Sequence, residues 1–594
     1  MRALAQNVPL SPPFIAGPAP LIPKGLTGAR PAIPEHPLQL WRKLMKNPRT
    51  RVLTVLLSTL LVCSFSGFAA AQTWVSTATQ AIGPALDNAL DQGALPDSTP
   101  IHVNVGLEIR NRAALITYVQ SITNPASPLY GQELQPSDFV NLYAPASAQV
   151  QSVVSYLSTQ GFQNLQVEPN NLMIAADGTA LSVRQAFNTQ LEAYQVNGAP
   201  FYANLSAAQV PANLGGIVSS VLGLNNAGVM SAGVPSIPDF PGAYRPANLW
   251  TAYDADSTPT GSKTAIAIFA EGNVSGVISD LRLAEQHNGL PQVPVKVVQV
   301  GLASTDTSGV DEFDLDTQYS TGMAKNVSML YIYATTSLTD SDTALMFNHF
   351  AAQKLARAGS ASFGICEIFP FLDGSMLADD NSFLEAAAQG QTVFASSGDT
   401  GSSCAVDVGV NGVPGDGAPM VEYPASSTYV MGVGGTTLLT NADGSYDQEI
   451  AWYAGGGGLS QFEGSGFWQS PVNIFSTVGK GVPDIATDAD PNSGVYLWLN
   501  GTEQCCYGGT SLSSPLWLGA WARFQSAHNN KLGFAGPALY NGATAIPSPA
   551  SPPGFHDIIL GGNGLYTALP GYDLTTGLGT FDISKLNAAI ESPK

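Results

Sequence analysis

The chain has 594 residues, which is too long for one average domain and predicts two or three. Only 11% of the residues are charged, under half of the usual share of about a quarter. The net charge of −21 and the pI of about 4.5 argue against a nucleic-acid partner. A surface so poor in ionisable groups suits an acidic medium, because its charge changes little in acid.

The N-terminal part of the chain carries the pattern of an export signal. An apolar run over residues 52–71 follows three basic residues and ends in three alanines. It predicts a signal peptide over residues 45–71 and a secreted protein, extracellular or periplasmic, with no stable membrane span after cleavage. Residues 1–44 are interpreted as an extension that is disordered or reflects a wrongly assigned start, since Met45 would begin a signal of ordinary length. A membrane anchor is the alternative, although the run is barely long enough.

The next segments predict a linker over residues 72–100, which are small and polar, and a compact α+β domain over residues 101–224. The predicted elements are a strand at 101–107, helices at 111–122 and 147–161 (the second capped by Ser147), a strand pair at 164–169 and 171–177, a helix at 179–188 and a hairpin over 191–206. Residues 211–246 are rich in Gly, Pro and Ser and show only a short helix near 215–222. Residues 225–246 are predicted to be an exposed connector with a processing site.

The remainder, residues 247–594, predicts a different kind of domain. Short apolar runs bounded by glycine alternate with helical stretches, for example AIAIFA, SMLYIY and TVFASSG. This order indicates a parallel sheet with helices on both faces, whose active site lies at the carboxyl ends of the strands.

The stretch YGGTSLSSP, residues 507–515, is a Gly-Gly-Thr-Ser run that opens into a helix-like segment, and it suggests a reactive serine at Ser511. Such a serine needs a base. The histidines after the connector do not lie in a motif typical of a catalytic base, and each is interpreted as a surface or helix residue: His287, His349, His528 and His556. An Asp-His-Ser triad is therefore not supported.

Carboxylates offer a different base. Glu312 and Asp316 are four residues apart, on one face if the segment is a helix. Two carboxylates held together share a proton and one pKa rises, so the glutamate could accept the serine proton. The alternative is a solvated acidic turn. Asp399 follows the strand-like TVFASSG in a Gly-Ser turn, where it could also be an ordinary turn residue.

Three motifs, in this order and spacing, together resemble the sedolisin, or serine-carboxyl peptidase, family with its kumamolisin-like members: Glu312-x-x-Leu315-Asp316, Ser396-Ser397-Gly398-Asp399-x-Gly401 and Gly509-Thr510-Ser511-x-Ser513-x-Pro515. The resemblance implies an α/β fold with a subtilisin-like parallel sheet flanked by helices, preceded by a smaller α+β, ferredoxin-like activation propeptide over residues 101–224. It also implies the catalytic roles. Ser511 would be the nucleophile, Glu312 the general base, Asp316 its orienter and Asp399 a protonated donor to the oxyanion.

The same resemblance implies one calcium ion near the C-terminus. Its ligands would be the carboxylates of Asp557 and Asp573 and the carbonyl oxygens of Ile558, Leu569 and Gly571. Oxygen-only ligands suit a hard cation. Two ordinary turn aspartates are the alternative, and Leu569 stands where the family often has glycine.

The four cysteines that follow the signal predict one or two disulfides, whose pairing stays open: Cys366, Cys404, Cys505 and Cys506. Taken together, the sequence predicts a secreted, acid-active serine endopeptidase made as a self-processing zymogen. It would act on proteins or peptides, with its own propeptide as intramolecular inhibitor. Acid would protonate carboxylates at the propeptide interface and weaken it. The alternatives are a tripeptidyl exopeptidase of the same family and a catalytically inactive binding homologue.

Overall fold

The computed structural model describes residues 72–83, 86, 88–237, 243–406, 418–473, 476–545 and 548–591. The predicted N-terminal extension and signal peptide lie outside the described residues. In the part of the chain that is described, no helix combines the length and the apolar character needed to cross a membrane.

An N-terminal α+β domain precedes the connector. Its elements are β1 (Trp74–Ser76), β2 (Leu90–Ala94), β3 (Pro100–Leu107), α1 (Arg112–Thr123), α2 (Pro136–Leu142), α3 (Ser147–Thr159), β4 (Gln163–Val167), β5 (Met173–Thr179), α4 (Ala180–Phe187), β6 (Leu191–Val196), β7 (Ala199–Asn204), β8 (Gln209–Pro211) and β9 (Val218–Leu222). The strands form an antiparallel sheet in the order β4-β5-β3-β9, a second one in the order β2-β6-β7 and the pair β1-β8. Val103 and Val105 on β3 pack in one apolar core with Leu157 on α3.

Three predictions about this domain are wrong. Residues 72–100 are not only a linker, because β1 pairs with β8 and β2 pairs with β6. The segment predicted as a short helix near 215–222 contains β9, which completes the four-stranded sheet against β3. The first residue of α3 is Ser147, and the N-cap position belongs to Ala146, whose N–H donates to Gln149 Oε1 at 3.0 Å. For β1, β2 and β9, the partner strand lies far away along the chain, so no local sequence pattern reveals the pairing.

The C-terminal domain contains the remaining elements. They are α5 (Pro246–Ala252), β10 (Ala265–Glu271), α6 (Ser275–His287), β11 (Val295–Gln299), α7 (Val310–Ala324), β12 (Met329–Thr335), α8 (Asp340–Gln353), β13 (Ala358–Ala361), β14 (Ile365–Cys366), α9 (Ile368–Asp373), α10 (Ser375–Ala388), β15 (Thr392–Ser396), β16 (Glu422–Tyr423), β17 (Val430–Thr440), β18 (Tyr446–Ala451), β19 (Gly458–Leu459), β20 (Gly481–Val482), β21 (Ile485–Asp488), β22 (Val495–Leu499), β23 (Thr502–Tyr507), α11 (Thr510–Ala527), α12 (Ala535–Leu539), β24 (Phe555–His556), β25 (Thr580–Phe581) and α13 (Ile583–Ala589).

The central sheet confirms the predicted α/β architecture. Its order is β11-β12-β10-β13-β15-β17-β18, and β21 pairs with β17 as well. The pairs are parallel except β17-β18. Helices α7 and α11 approach closely at Gly519, where a Cβ atom would lie 2.7 Å from the Cβ of Met323. This close approach packs the C-terminal end of α7 directly against α11.

Two disulfides resolve the pairing that the sequence leaves open. Cys366 bonds to Cys404, and Cys505 bonds to Cys506. The first links β14 to the loop after β15, and the second lies in β23, just before the Gly508-Gly509 turn. Both therefore lie beside segments that carry the predicted catalytic residues.

The N-terminal domain contacts the C-terminal domain through α8, α10 and the segment between α8 and β13. Asn104 Nδ2 donates to Ser341 O at 3.0 Å, and Asn170 Nδ2 donates to Glu385 Oε2 at 2.7 Å. The interface also contains ion pairs: Arg357 and Lys354 with Glu133 at 2.6 and 3.5 Å, and His349 with Glu168 at 2.9 Å.

Candidate active site

Helix α7 places Glu312 and Asp316 on one face in its first two turns, where both side chains are completely buried. The solvated acidic turn is therefore excluded. Burial raises the pKa of Glu312 well above its ordinary value, and the charge of Asp316 raises it further, whereas the nearby Ser511 hydroxyl lowers it. Both carboxylate oxygens of Glu312 lack a hydrogen-bond partner within bonding distance among the described residues. Burial also raises the pKa of Asp316, and its Oδ1 accepts a hydrogen bond from Ser362 Oγ. The buried pair retains a proton more readily than a free carboxylate does.

Ser511 is the second residue of α11 and is also buried. Its Oγ lies 3.4 Å from the carbonyl oxygen of Ser362, which is the first residue after β13. The turn before it needs Gly509, whose φ of 92° favours glycine and whose Cβ would lie 2.7 Å from Asp399 Oδ2. The Gly-Thr-Ser order thus brings Asp399 against the two residues that precede the serine.

Asp399 lies after the carboxyl end of β15, next to Thr510, the residue before Ser511. Its Oδ1 accepts hydrogen bonds from Thr510 N at 2.8 Å and from Thr510 Oγ1 at 2.9 Å. Burial raises the pKa of Asp399 to about 6, and the two bonds from Thr510 oppose this rise. Asp399 is therefore protonated in acid and can donate a hydrogen bond, as an oxyanion donor must.

Glu422 is a residue at this site that the sequence did not single out. It lies on β16, which pairs with β14 through Cys366. A Cβ added to Gly398 would lie 2.7 Å from Glu422 Oε1, and one added to Gly364 would lie 2.9 Å from Oε2. Burial raises the pKa of Glu422 to about 8, with a further contribution from the charge of Asp399. The strand that positions it has two residues, so its sequence carries no periodic signal.

Each of the four histidines contacts a residue that is not one of the predicted catalytic residues. His287 pairs with Glu503, His349 with Glu168, His528 with the carbonyl oxygen of Asn587, and His556 stacks on Tyr446. The helix interpretation holds for His287 in α6 and His349 in α8, and His528 directly follows α11, whereas His556 lies in strand β24 and is partly buried.

The connector lies along the same site. Ser231 N donates to Gly364 O at 2.8 Å, and Gly364 N donates to Ser231 O at 3.2 Å, which makes an antiparallel bridge. Further along, Gly508 N donates to Pro235 O at 2.9 Å, and Ile237 exchanges two backbone hydrogen bonds with Cys506. If the antiparallel register of the first bridge continued for two residues, Gly233 would stand opposite Ser362, the residue whose carbonyl oxygen lies 3.4 Å from Ser511 Oγ.

The proposed calcium ligands gather around one loop. Gly571 N donates to both carboxylate oxygens of Asp557, and Leu569 N donates to Asp573 Oδ2 at 2.9 Å. Ile558 is buried next to Asp557. Among the described residues no cluster of three or more His, Cys, Asp or Glu side chains could hold a metal. The donor set is nevertheless made of oxygen atoms alone, two carboxylates and three carbonyls, and it fits Ca²⁺.

Comparison with known proteins assigns both domains. A family profile described as "Pro-kumamolisin, activation domain" matches residues 87–227, and one described as "Subtilase family" matches residues 299–540. Sedolisin from Pseudomonas sp. (strain 101) is 38% identical over 571 residues, which cover 90% of this chain and 95% of sedolisin. The chain belongs to the sedolisin family.

Other members of the sedolisin family support the assignment. The solved structure of Pseudomonas sedolisin, a serine-carboxyl proteinase complexed with two molecules of pseudo-iodotyrostatin, is 36% identical with a TM-score of 0.54 and covers 58% of this chain and 97% of that chain. Tripeptidyl-peptidase 1 from Canis lupus familiaris is 26% identical over 550 residues, which cover 84% of this chain and 93% of that protein. This chain is thus a serine-carboxyl peptidase of the sedolisin family, with an activation propeptide and a subtilisin-like α/β fold.

Proposed function

We propose that this protein is a secreted, acid-active serine endopeptidase, made as a zymogen that cuts its own connector. One observation carries the proposal: Ser511 lies beside the buried pair Glu312–Asp316, its neighbour Thr510 is hydrogen-bonded to the half-buried Asp399, and a segment of the same chain occupies the adjoining cleft. Secretion rests on the signal pattern in residues 45–71. Three carboxyl groups and one serine hydroxyl converge on one cleft, and this convergence argues against an inactive binding homologue.

In the first step, Ser511 Oγ attacks the carbonyl carbon of the scissile peptide bond and Glu312 accepts its proton. Asp316, held by the Ser362 hydroxyl, orients Glu312. Protonated Asp399 donates a hydrogen bond to the oxygen that becomes negative. Glu312 then returns the proton to the leaving amine, and the acyl group remains on Ser511. A water molecule, activated by Glu312, releases the acyl group in the second half of the reaction.

The general base is a pair of residues with one charge. A lone glutamate with a low pKa would be the simplest base for acid, but burial raises the pKa of both Glu312 and Asp316. We infer that the pair holds one proton and one negative charge at the working pH, because two buried carboxylates resist double ionisation. A histidine in this place would be charged in acid and could not accept the proton.

The path of the connector favours an endopeptidase over a tripeptidyl exopeptidase. If the bond after Gly233 is the one cut, the three preceding residues are 231–233. The chain continues beyond them, since Met230 N donates to Leu338 O at 2.9 Å and Val229 forms a bridge with Thr339. A cleft that accepts more than three residues on the N-terminal side of the scissile bond is open to long substrates. Mass spectrometric mapping of products from a long peptide separates the two activities, because an exopeptidase releases successive tripeptides.

The register of the connector makes a prediction about self-processing. We expect the proenzyme, shifted from neutral pH to about pH 4, to be cut first between Gly233 and Val234, because the register continued from the Ser231–Gly364 bridge would bring Gly233 to Ser362 and so to Ser511. N-terminal sequencing and intact mass of the C-terminal product test the position. The Ser511→Ala proenzyme should remain intact under the same conditions. A first cut outside residues 231–236 would contradict the register.

Acid alone does not explain release of the propeptide. Burial raises the pKa of Glu385, which accepts from Asn170, to about 8, and it raises the pKa of Asp340, which contacts Gly228 of the connector. A carboxyl group whose pKa is higher in the docked state binds more protons there, so acid favours docking through these groups. We therefore propose that cleavage of the connector is the activating event.

We also propose that Asp557, Asp573 and the carbonyl oxygens of Ile558, Leu569 and Gly571 bind one Ca²⁺. The ion would hold the loop around Leu569 against the carboxyl groups and would supply no catalytic chemistry. Asp573 already anchors this loop through hydrogen bonds from Leu569, Thr575 and Thr576.

Calcium binding predicts a change in thermal stability. Addition of millimolar Ca²⁺ to chelated enzyme should raise Tm by several degrees, since a ligand that binds only the folded state stabilises it. The Asp557→Asn variant should lose most of this increase. Asp443→Asn, which removes an exposed turn carboxylate elsewhere, is the matched control and should retain it. An unchanged Tm in the unmodified enzyme would contradict the site.

The whole proposal is tested by incubating purified proenzyme with a denatured protein from pH 3 to pH 7, beside Ser511→Ala. Cleavage confined to acid, together with a fall in the enzyme's own mass, supports it. A folded proenzyme that cleaves nothing at any of these pH values, with calcium present, would refute it.

A further inference from the structure

The residue before the scissile bond, called P1, has a definable place in the cleft. Continued by two residues in the same register, the antiparallel bridge between Ser231 and Gly364 would set Gly233 opposite Ser362, whose carbonyl oxygen lies 3.4 Å from Ser511 Oγ. A Cβ atom added to Gly233 would meet no atom within 4 Å. The cleft therefore has room for a side chain at this position, and the connector leaves that room unused.

Glu422 borders this part of the cleft. Its carboxyl group lies between Gly364, which pairs with the bound chain, and Gly398, which precedes Asp399. Neither neighbour has a side chain, and a Cβ at either position would collide with the carboxyl group, at 2.9 Å from Oε2 and 2.6 Å from Cδ. Glu422 is held there by its β-sheet pairing with Cys366 and by the Cys366–Cys404 disulfide. The side chain keeps partial access to solvent.

In the part of the chain that the structure describes, the carboxyl group of Glu422 forms no ion pair with a cationic side chain. The charge that acts on it most is that of Asp399, which has the same sign. Among the described residues, no ion pair includes Glu422. The neighbouring segment 407–417 contains no lysine, arginine or histidine. An enclosed carboxylate without a counter-ion is unfavourable, and a cation supplied by a ligand would stabilise it.

We propose that Glu422 determines specificity at P1 by selecting a lysine or arginine side chain there. The inference rests on the proposed function and names its substrate class. A long cationic side chain can extend from the open position at Gly233 and end at the carboxylate between Gly364 and Gly398. Methionine has a similar length without the charge, so it fills the same space but leaves the carboxyl group unpaired.

The pH dependence gives the selection a signature. Since burial and Asp399 raise the pKa of Glu422, the free enzyme holds it protonated in acid, and binding of lysine must remove that proton. The preference for lysine over methionine should therefore grow as the pH rises from 3.5 to 5.5. A protonated carboxyl that only donates a hydrogen bond would show no such growth.

The test compares kcat/KM for two peptides that differ only in lysine or methionine at P1. The mature enzyme should prefer lysine by about 10-fold or more near pH 5.5 and less at pH 3.5. Glu422→Gln should lower that ratio about 10-fold and abolish its pH dependence. Glu422→Asp, which retains the charge, should retain the pH dependence. Glu591→Gln, which removes an exposed C-terminal carboxylate, is the control and should leave the ratio unchanged.

The outcomes separate this inference from the proposed function. A wild-type enzyme that cleaves both peptides equally well across this pH range would overturn the role of Glu422 alone. An enzyme that cleaves neither peptide nor a denatured protein would overturn the proposed function and the inference with it.

A second measurement uses the connector as substrate, so it remains informative if Glu422→Gln folds poorly. The proenzymes Gly233→Lys and Gly233→Met carry the two side chains at the proposed P1 position. Faster self-processing of the lysine proenzyme near pH 5.5 supports the inference, and equal rates contradict it.

Discussion

Glu312→Gln and Ser511→Ala are each expected to lower kcat/KM by about 10⁴-fold or more at pH 4. Glutamine cannot accept the Ser511 proton, and alanine has no nucleophile. Both proenzymes should also keep the connector intact. The measurement is steady-state cleavage of a peptide after the connector has been cut in trans by a trace of active enzyme that is then removed.

Asp314→Asn is the matched control for Glu312→Gln. Asp314 lies two residues further along α7, and burial raises its pKa to about 9, with the charge of Asp280 adding to the effect. It is already uncharged at pH 4, so the change to an amide alters little, and kcat/KM should stay within a few-fold of the original. Glu312→Gln retaining a tenth of the activity, with the control normal, would exclude Glu312 as the base.

Asp399→Asn is expected to change the pH profile as well as the rate. The pKa of Asp399 is raised to about 6, so the original enzyme should lose activity as the pH rises through this value, where the donor becomes an anion. Asparagine keeps an oxygen for the two bonds from Thr510 and an uncharged N–H donor that does not titrate. The loss near pH 6 should therefore disappear, while kcat in acid falls by roughly 10²-fold, because the amide donates less strongly.

The Asp399→Ala variant completes this experiment. It has no donor, so its kcat should be roughly 10²- to 10³-fold low in acid. Initial rates from pH 3 to pH 8, with the fold of each variant checked by circular dichroism, give the profiles. If the Asn variant kept a decline centred at the original pH, another group would have to be responsible for it.

Several features could be predicted because they are local. The alternation of apolar runs and helices indicated a parallel α/β sheet, and the spacing of Glu312 and Asp316 indicated one helical face; the structure confirms the sheet, and α7 places both residues on that face. The Gly-Thr-Ser run indicated the start of a helix, and α11 begins at Thr510. Each of these patterns depends on residues within one or two turns or one strand.

Other features were decided by the tertiary structure. Strands β1 and β9 form only because β8 and β3 lie beside them, and Glu422 reaches the cleft only because β16 pairs with β14. The upward shift in the pKa of Asp399 follows from burial, which a short sequence does not reveal. The sequence by itself determined the sheet class and the chemical groups of the site. Only the packed chain decided which of those groups meet, which are shielded from water and how the connector pairs with the cleft at Gly364, because contacts between distant segments and the exclusion of solvent exist only after folding.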